Sequence, residues 1–336
     1  MKKSLLGIFL ALVMLTGCAP RQTAGGPWQY TDYSLFDTVT TVIGYGGTAG
    51  DFEAQARELC GKLQTYHRLL DIYQEYDGMV NLKTVNEKAG QEPVEVDPIL
   101  MAFLQDCKDY YALTDGKVNV AMGSVLKLWH DARTLALEHP DQAALPDPEA
   151  LQAAAQHCGM EDVVLDPEAG TVFFADPELQ LDVGAAAKGW SVQQVCAEAP
   201  EGLLISVGGN VFAPGPKPDG SPWIVGVQRP DGGEGYLATP PLTRGSAVTS
   251  GDYQRYFTLD GKNYHHIIDP ETLAPGTYWR SVTVLCADSG LADCLSTALF
   301  LLPQAEGQAL LDKTGAEAMW ADAAGNLFYS PGFPRN

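Results

Sequence analysis

Basic residues are scarce in this chain. Its 336 residues hold 21 Lys and Arg against 42 Asp and Glu, a formal net charge of −21. Binding nucleic acid requires Lys and Arg clusters that displace counterions from phosphates, so that class is excluded. The same imbalance argues against a surface pressed onto anionic lipid and suits solubility outside the cell. Metal-binding cysteine patterns are missing too. Beyond Cys18 stand Cys60, Cys107, Cys158, Cys196, Cys286 and Cys294, with no C-x-x-C pair and no histidine at zinc-ligand spacing. Most lie on apolar faces of periodic segments and are expected as buried free thiols. One or two disulfides stay open in an oxidising compartment. There are no repeats, no low-complexity tract and no clear linker. Gly208-Gly209-Asn210 reads as a turn and is not a G-x-G-x-x-G fingerprint, so a Rossmann site is not indicated.

What is present begins with a leader. Lys2 and Lys3 precede the apolar run Leu5–Leu15, which falls short of the ~20 residues that span a bilayer. It ends in Leu15-Thr16-Gly17-Cys18, a lipobox pattern in which the cysteine is acylated. An ordinary cleaved signal with a chance cysteine is the alternative. The expected organisation is a signal peptide over 1–17, a lipid-anchored tether over 18–28 and one domain over 29–336. A lipid chain tethers without spanning. This places the protein outside the cytoplasm, anchored to the cell membrane on its periplasmic side or outer face.

The rest alternates helix and strand signals. Phe36–Ile43 has strand composition. Phe52, Ala56, Leu59, Leu63, Tyr66 and Leu70 recur at helical spacing. Asp97-Pro98 and Asp147-Pro148 each pair a capping residue with proline at the first helical position, and Gly159 stops the second helix. Leu100, Phe103, Leu104, Cys107 and Tyr111 make the first one's buried stripe. Then come short strands at hairpin spacing, including a hairpin about Asp260-Gly261. Ser281–Ala287 reads as a strand, Leu291–Leu302 as a buried helix, and a last helix and hairpin lie near 305–312 and Gly325-Asn326. The pattern is α+β, a largely antiparallel sheet core with flanking helices.

Two clusters carry chemistry. Asp293 and Thr297 are four apart on one helical face. A carboxylate and a hydroxyl are hard ligands suited to Mg²⁺; the plain alternative is a helix cap and a back-bonded threonine. His265 and His266 are strand neighbours, so one faces a site while its partner faces core or solvent.

Four segments, in order, resemble the ApbE family of FAD:protein FMN transferases. They are LDVGAAAKG (Leu181–Gly189), SVGGNVFAPG (Ser206–Gly215), Arg244–Pro270 with its small-residue turn Thr249–Asp252 and its His265-His266 pair, and SVTVLCADSGLADCLSTALF (Ser281–Phe300). The resemblance implies an ApbE-like architecture related to the T-fold. It also implies Mg²⁺ held by Asp293, Thr297 and the Ala185 carbonyl. FAD contacts would come from Phe36, Tyr73, Lys117, Val118, Asn119, Asp182, Lys188 and Ile268. His266 is the candidate base, and Asp269 either orients it or begins the next turn. The implied reaction moves FMN from FAD to a Ser or Thr hydroxyl of an acceptor protein and releases AMP. Acceptors would be subunits of membrane redox complexes or secreted reductases. FAD hydrolysis at the same site, or flavin binding without turnover, are the alternatives.

Overall fold

The computed structural model describes residues 21–22 and 26–335. The expected signal peptide and Cys18 lie outside them. One antiparallel sheet of nine strands carries the fold. Its strands are β1 (Arg21–Gln22), β2 (Trp28–Leu35), β3 (Thr38–Gly44), β4 (Leu203–Val207), β5 (Asn210–Ala213), β6 (Gly245–Gly251), β7 (Ser281–Cys286), β8 (Glu317–Ala321) and β9 (Leu327–Tyr329). They lie in the sheet in the order in which they occur in the chain. Arg21 and Gln22 pair with Gln29 and Trp28. Strand pairing therefore reaches into the segment expected as a tether, because an open edge of β2 offers unpaired backbone groups.

Long excursions leave this sheet at four joints, one of them residues 214–244 between β5 and β6, which carries two small two-stranded sheets. Between β3 and β4 come helices α1 (Ala49–Leu69), α2 (Leu82–Glu87), α3 (Pro98–Leu113), α4 (Gly123–Glu138), α5 (Pro148–Ala155) and α6 (Ala187–Cys196), with a small three-stranded sheet. Between β6 and β7 runs a hairpin excursion, residues 252–280. Between β7 and β8 lie α7 (Ser289–Phe300) and α8 (Gln304–Thr314).

The helices start where the sequence chemistry puts them. A capping box opens α1, with Asp51 N–H donating to Thr48 Oγ1 and Thr48 N–H to Asp51 Oδ2. Asp97 and Asp147 cap α3 and α5, each followed by proline. The face of α1 bearing Phe52, Ala56, Leu59 and Leu63 packs in one core with Val42, Ile205 and Val207 of the sheet. Helix α7 is buried nearly all round; Cys294, Leu295, Ala298, Leu299 and Phe300 are inaccessible and pack with Val282 and Val284. Each such large side chain contributes about 1.5–3 kcal/mol when fully buried, so α7 is an anchor for anything mounted on it.

Two expectations change, and one holds. Phe36 does not begin a strand: it forms, with Asp37, the two-residue turn between β2 and β3, where both have positive φ (52° and 50°). That left-handed pair matches the twist of a tight hairpin. Thr249–Gly251 is not a turn but the end of β6, paired with Ser281–Thr283 of β7; small residues there accommodate α7 against the strand. The six cysteines described are all free thiols, most of them buried, as the apolar faces predicted.

Candidate active site

A cavity of about 500 Å³ opens where α6, α7, the end of β6 and the 252–280 excursion meet the β2–β3 turn. Phe36, Tyr73, Lys117, Val118, Asn119, Asp182, Ala185, Lys188, His266, Ile268, Asp293 and Thr297 all line it. Residues spread over most of the chain are thus brought to one place. Asp269 is the exception. It is buried behind the wall, where its Oδ1 accepts from Lys117 Nζ at 3.2 Å and from Glu271 N–H at 3.0 Å. It begins the following turn and steadies Lys117; its carboxylate has no recorded contact with His266.

The floor is the junction of α6 and α7. Asp293 sits mid-helix, 4% exposed, and its Oδ2 accepts the Gly189 N–H at 2.8 Å. It does not cap α7; Asp288 does, accepting from Leu291 N–H. Lys188 Nζ stands 3.6 Å from Asp293 Oδ2 and donates to Gly184 O at 3.1 Å. Burial pushes the Asp293 pKa up, against the pull of Lys188 and the Gly189 amide. Thr297 Oγ1 lies one turn on, 3.5 Å from Ser250 Oγ, which shares a hydrogen bond with Ser296 Oγ at 2.8 Å. This close floor depends on Gly189. A Cβ there would stand 2.3 Å from Ser289 O and 2.4 Å from Asp293 Cβ. Asp182 faces the same space, its Oδ1 accepting from Gly184 N–H at 2.9 Å, its pKa raised by burial.

The rim is mounted differently. His265 is 7% exposed; its Nε2 meets Gly276 O at 2.9 Å and its ring rests edge-on against Phe300. His266 turns to the cavity. Its Nδ1 lies 3.2 Å from the Arg255 carbonyl, which only accepts, so the proton sits on Nδ1 and Nε2 carries the free lone pair. Although the ring stays open to the cavity, the surrounding protein and then the Arg255 charge push its pKa down to about 3. Tyr73 is half exposed and tilts over His130 with ring centroids 6.0 Å apart. Asp115 and Gly116, both at positive φ, turn the chain so that Lys117–Asn119 reach the wall.

Sequence reasoning did not single out His67, His130, Arg133, Asn210 or Arg255, all of which line the cavity. Arg133 and Arg255 join Lys117 and Lys188, so a strongly acidic chain gathers cations here among Asp37, Asp71, Asp182 and Asp293. Among the described residues no group of three or more His, Cys, Asp or Glu side chains is placed to hold a metal. One carboxylate, one hydroxyl and one carbonyl, as at Asp293, Thr297 and Ala185, make a set of another kind. A buried carboxylate beside a hydroxyl fits a hard cation such as Mg²⁺.

The ApbE family model matches residues 36–320. An FAD:protein FMN transferase of Treponema pallidum is 34% identical over 323 residues, covering 89% of this chain and 86% of the relative. One from Klebsiella pneumoniae is 31% identical, covering 77% and 79%. The crystal structure of the ApbE protein of Thermotoga maritima superposes with a TM-score of 0.81 at 26% identity, covering 92% of this chain and all of that one. With a family match spanning most of its length and the same fold in a solved relative, this chain belongs to the ApbE family.

Proposed function

We propose that the protein transfers the FMN half of FAD to a Ser or Thr hydroxyl of another protein, with Mg²⁺, and releases AMP. The observation that carries this reading is that two unlike groups line one cavity. One is a buried carboxylate, Asp293, with Thr297 and Lys188. The other is a neutral imidazole, His266, with Nε2 free. Mg²⁺, held by Asp293, Thr297 and the Ala185 carbonyl, would neutralise charge developing on the pyrophosphate.

The chain's own residues do the rest. Lys188 and Asp182 orient the dinucleotide at the start of α6, and Phe36, Tyr73, Val118 and Ile268 supply the apolar walls for its rings. Lys117 and Asn119 add polar contacts. His266 Nε2 accepts the proton of the attacking hydroxyl. The hydroxyl oxygen bonds to the FMN-side phosphorus, the bridging P–O bond breaks, and AMP carries away that electron pair. An imidazole with so low a pKa is a weak base but is never lost to protonation near neutral pH.

The domain that does this spans 29–336 in our reading, tethered outside the cytoplasmic membrane through an acylated Cys18. Its acceptors would be flavin-carrying subunits of membrane redox complexes or secreted reductases. The test is intact-mass measurement of such a protein after incubation with this one, FAD and Mg²⁺. The expected gain is one FMN less one water, matched by AMP. AMP released at the same rate with and without acceptor would instead establish hydrolysis.

A further inference from the structure

The turn that presents Phe36 is strained, and one side chain restrains it. Phe36 and Asp37 both sit at positive φ, a region that disfavours a bulky residue such as Phe36 and that Asp tolerates better. Glycine, asparagine and aspartate are the usual occupants of such a hairpin turn; Asp37 is one of them and Phe36 is not. Strain of this kind persists only where the surroundings over-determine it. Here the surroundings are His67, in the last turn of α1. Its Nδ1 accepts the Phe36 N–H at 3.3 Å, and its ring meets the Phe36 ring edge-on, centroids 5.3 Å apart. A backbone N–H can only donate, so Nδ1 is bare and the proton sits on Nε2. Both side chains line the cavity. The same helix end leads into Asp71, whose carboxylate accepts from Tyr73 N–H at 2.7 Å and from the Tyr76 hydroxyl at 2.7 Å. The end of α1 thus fixes two aromatic pieces of the wall through side-chain acceptors, Phe36 by His67 and Tyr73 by Asp71.

We propose that His67 is a positioning residue for FAD: by accepting the Phe36 amide proton it holds the strained β2–β3 turn closed, so that Phe36 is set against the flavin nucleotide before it arrives. The inference rests on the functional reading above. His67 does not touch the reacting phosphorus. Its contribution is preorganisation, which raises affinity by reducing what must be ordered on binding.

Two substitutions separate its two contacts. In His67→Asn the side-chain oxygen falls where Nδ1 was and keeps the acceptor. In His67→Phe the ring contact is kept and the acceptor is lost. FAD binding with Mg²⁺ is measured by calorimetry on the purified protein, with steady-state kinetics and thermal melting alongside. His67→Phe is expected to bind FAD about tenfold more weakly, the equivalent of one ordinary hydrogen bond and some released strain. Its KM for FAD rises while kcat stays within about twofold. His67→Asn is expected to stay within about threefold of wild type. In the wild-type protein without ligand, the Phe36 amide should be protected from hydrogen exchange. Equal affinity in His67→Phe and wild type, equal weakening in both variants, or an unprotected Phe36 amide overturns the proposal. Should His67→Phe fail to fold, the exchange measurement and His67→Asn still decide it. A wild-type protein that binds no FAD would defeat the functional reading itself, a result distinct from all of these.

Discussion

The floor of the cavity and its rim place functional groups by opposite means. Asp293 stands in the middle of a helix whose neighbours are almost all inaccessible, and it takes a hydrogen bond from the backbone of the helix packed against it. His266 stands on an excursion between two strands, and its recorded hydrogen bonds, from its backbone N–H and from Nδ1, both go to the Arg255 carbonyl. On the floor, ligand chemistry and folding share the same atoms. At the rim they are separable. A change on the floor should move turnover and stability together, or trade one for the other, whereas a change at the rim should, at neutral pH, move turnover alone.

The sharpest test is Asp293→Asn, which keeps shape and removes the charge. Acceptor-dependent turnover should fall by ~10³-fold or more, several kcal/mol of transition-state stabilisation. Thermal stability without Mg²⁺ should not fall, because burial already penalises the charge. A metal-free variant markedly less stable than wild type would break the floor half of the comparison. Next is His266→Ala, for which the acceptor-dependent rate should drop by roughly 10²–10⁴-fold while the melting temperature at neutral pH holds. The low pKa of His266 has a signed consequence for stability. The unfolded chain takes up a proton near pH 6.5 that the folded imidazole refuses until about pH 3. Its neutral form therefore supports folding fully above pH 6.5, and that support is lost as pH falls from there toward 3. His266→Ala should flatten the acid side of the stability profile in that window; an unchanged profile would contradict it. The smallest effect is expected for Gly189→Ala. Its methyl group meets Ser289 O and Asp293 Cβ, so α6 must move off α7 at about 1–3 kcal/mol. That should appear as a melting temperature lower by several degrees, with weaker FAD binding. A loss of binding without any loss of stability would show that floor and fold are not coupled as described.

Much of this was legible in the sequence because it was locally encoded. Asp97-Pro98, Asp147-Pro148 and the Phe52–Leu63 stripe declare their helices without help from the rest of the chain. Asp293 and Thr297 share a face wherever that helix packs. Other features were set by tertiary contacts. Helix α4 starts at Met122 and Gly123 with no side-chain cap. The Phe36-Asp37 turn has a bulky aromatic where such turns favour Gly, Asn or Asp, and His67, thirty-one positions away, restrains it. Thr249–Gly251 is small because α7 covers it, and small residues in a row look like a turn when the cover is unseen. His130 and Arg133 sit in a segment with no motif, Arg255 sits within the Arg244–Pro270 segment without a signal of its own, and only the fold shows that they share a wall with Lys188. Asn210 followed a visible Gly-Gly turn, a signal that was present but carried no chemistry by itself.

The pairing of β3 with β4 sets Gly44 beside Leu203, with six helices threaded between them. A chain made from its N-terminus therefore completes the β2–β3 hairpin long before the neighbour that will cover its open edge exists. At ~5–20 residues per second that wait is on the order of 10 s. An uncovered edge with its apolar face exposed is a template for another chain. During synthesis this hairpin, which also bears the Phe36 turn, is the segment at which crowded nascent copies would most readily stick to one another.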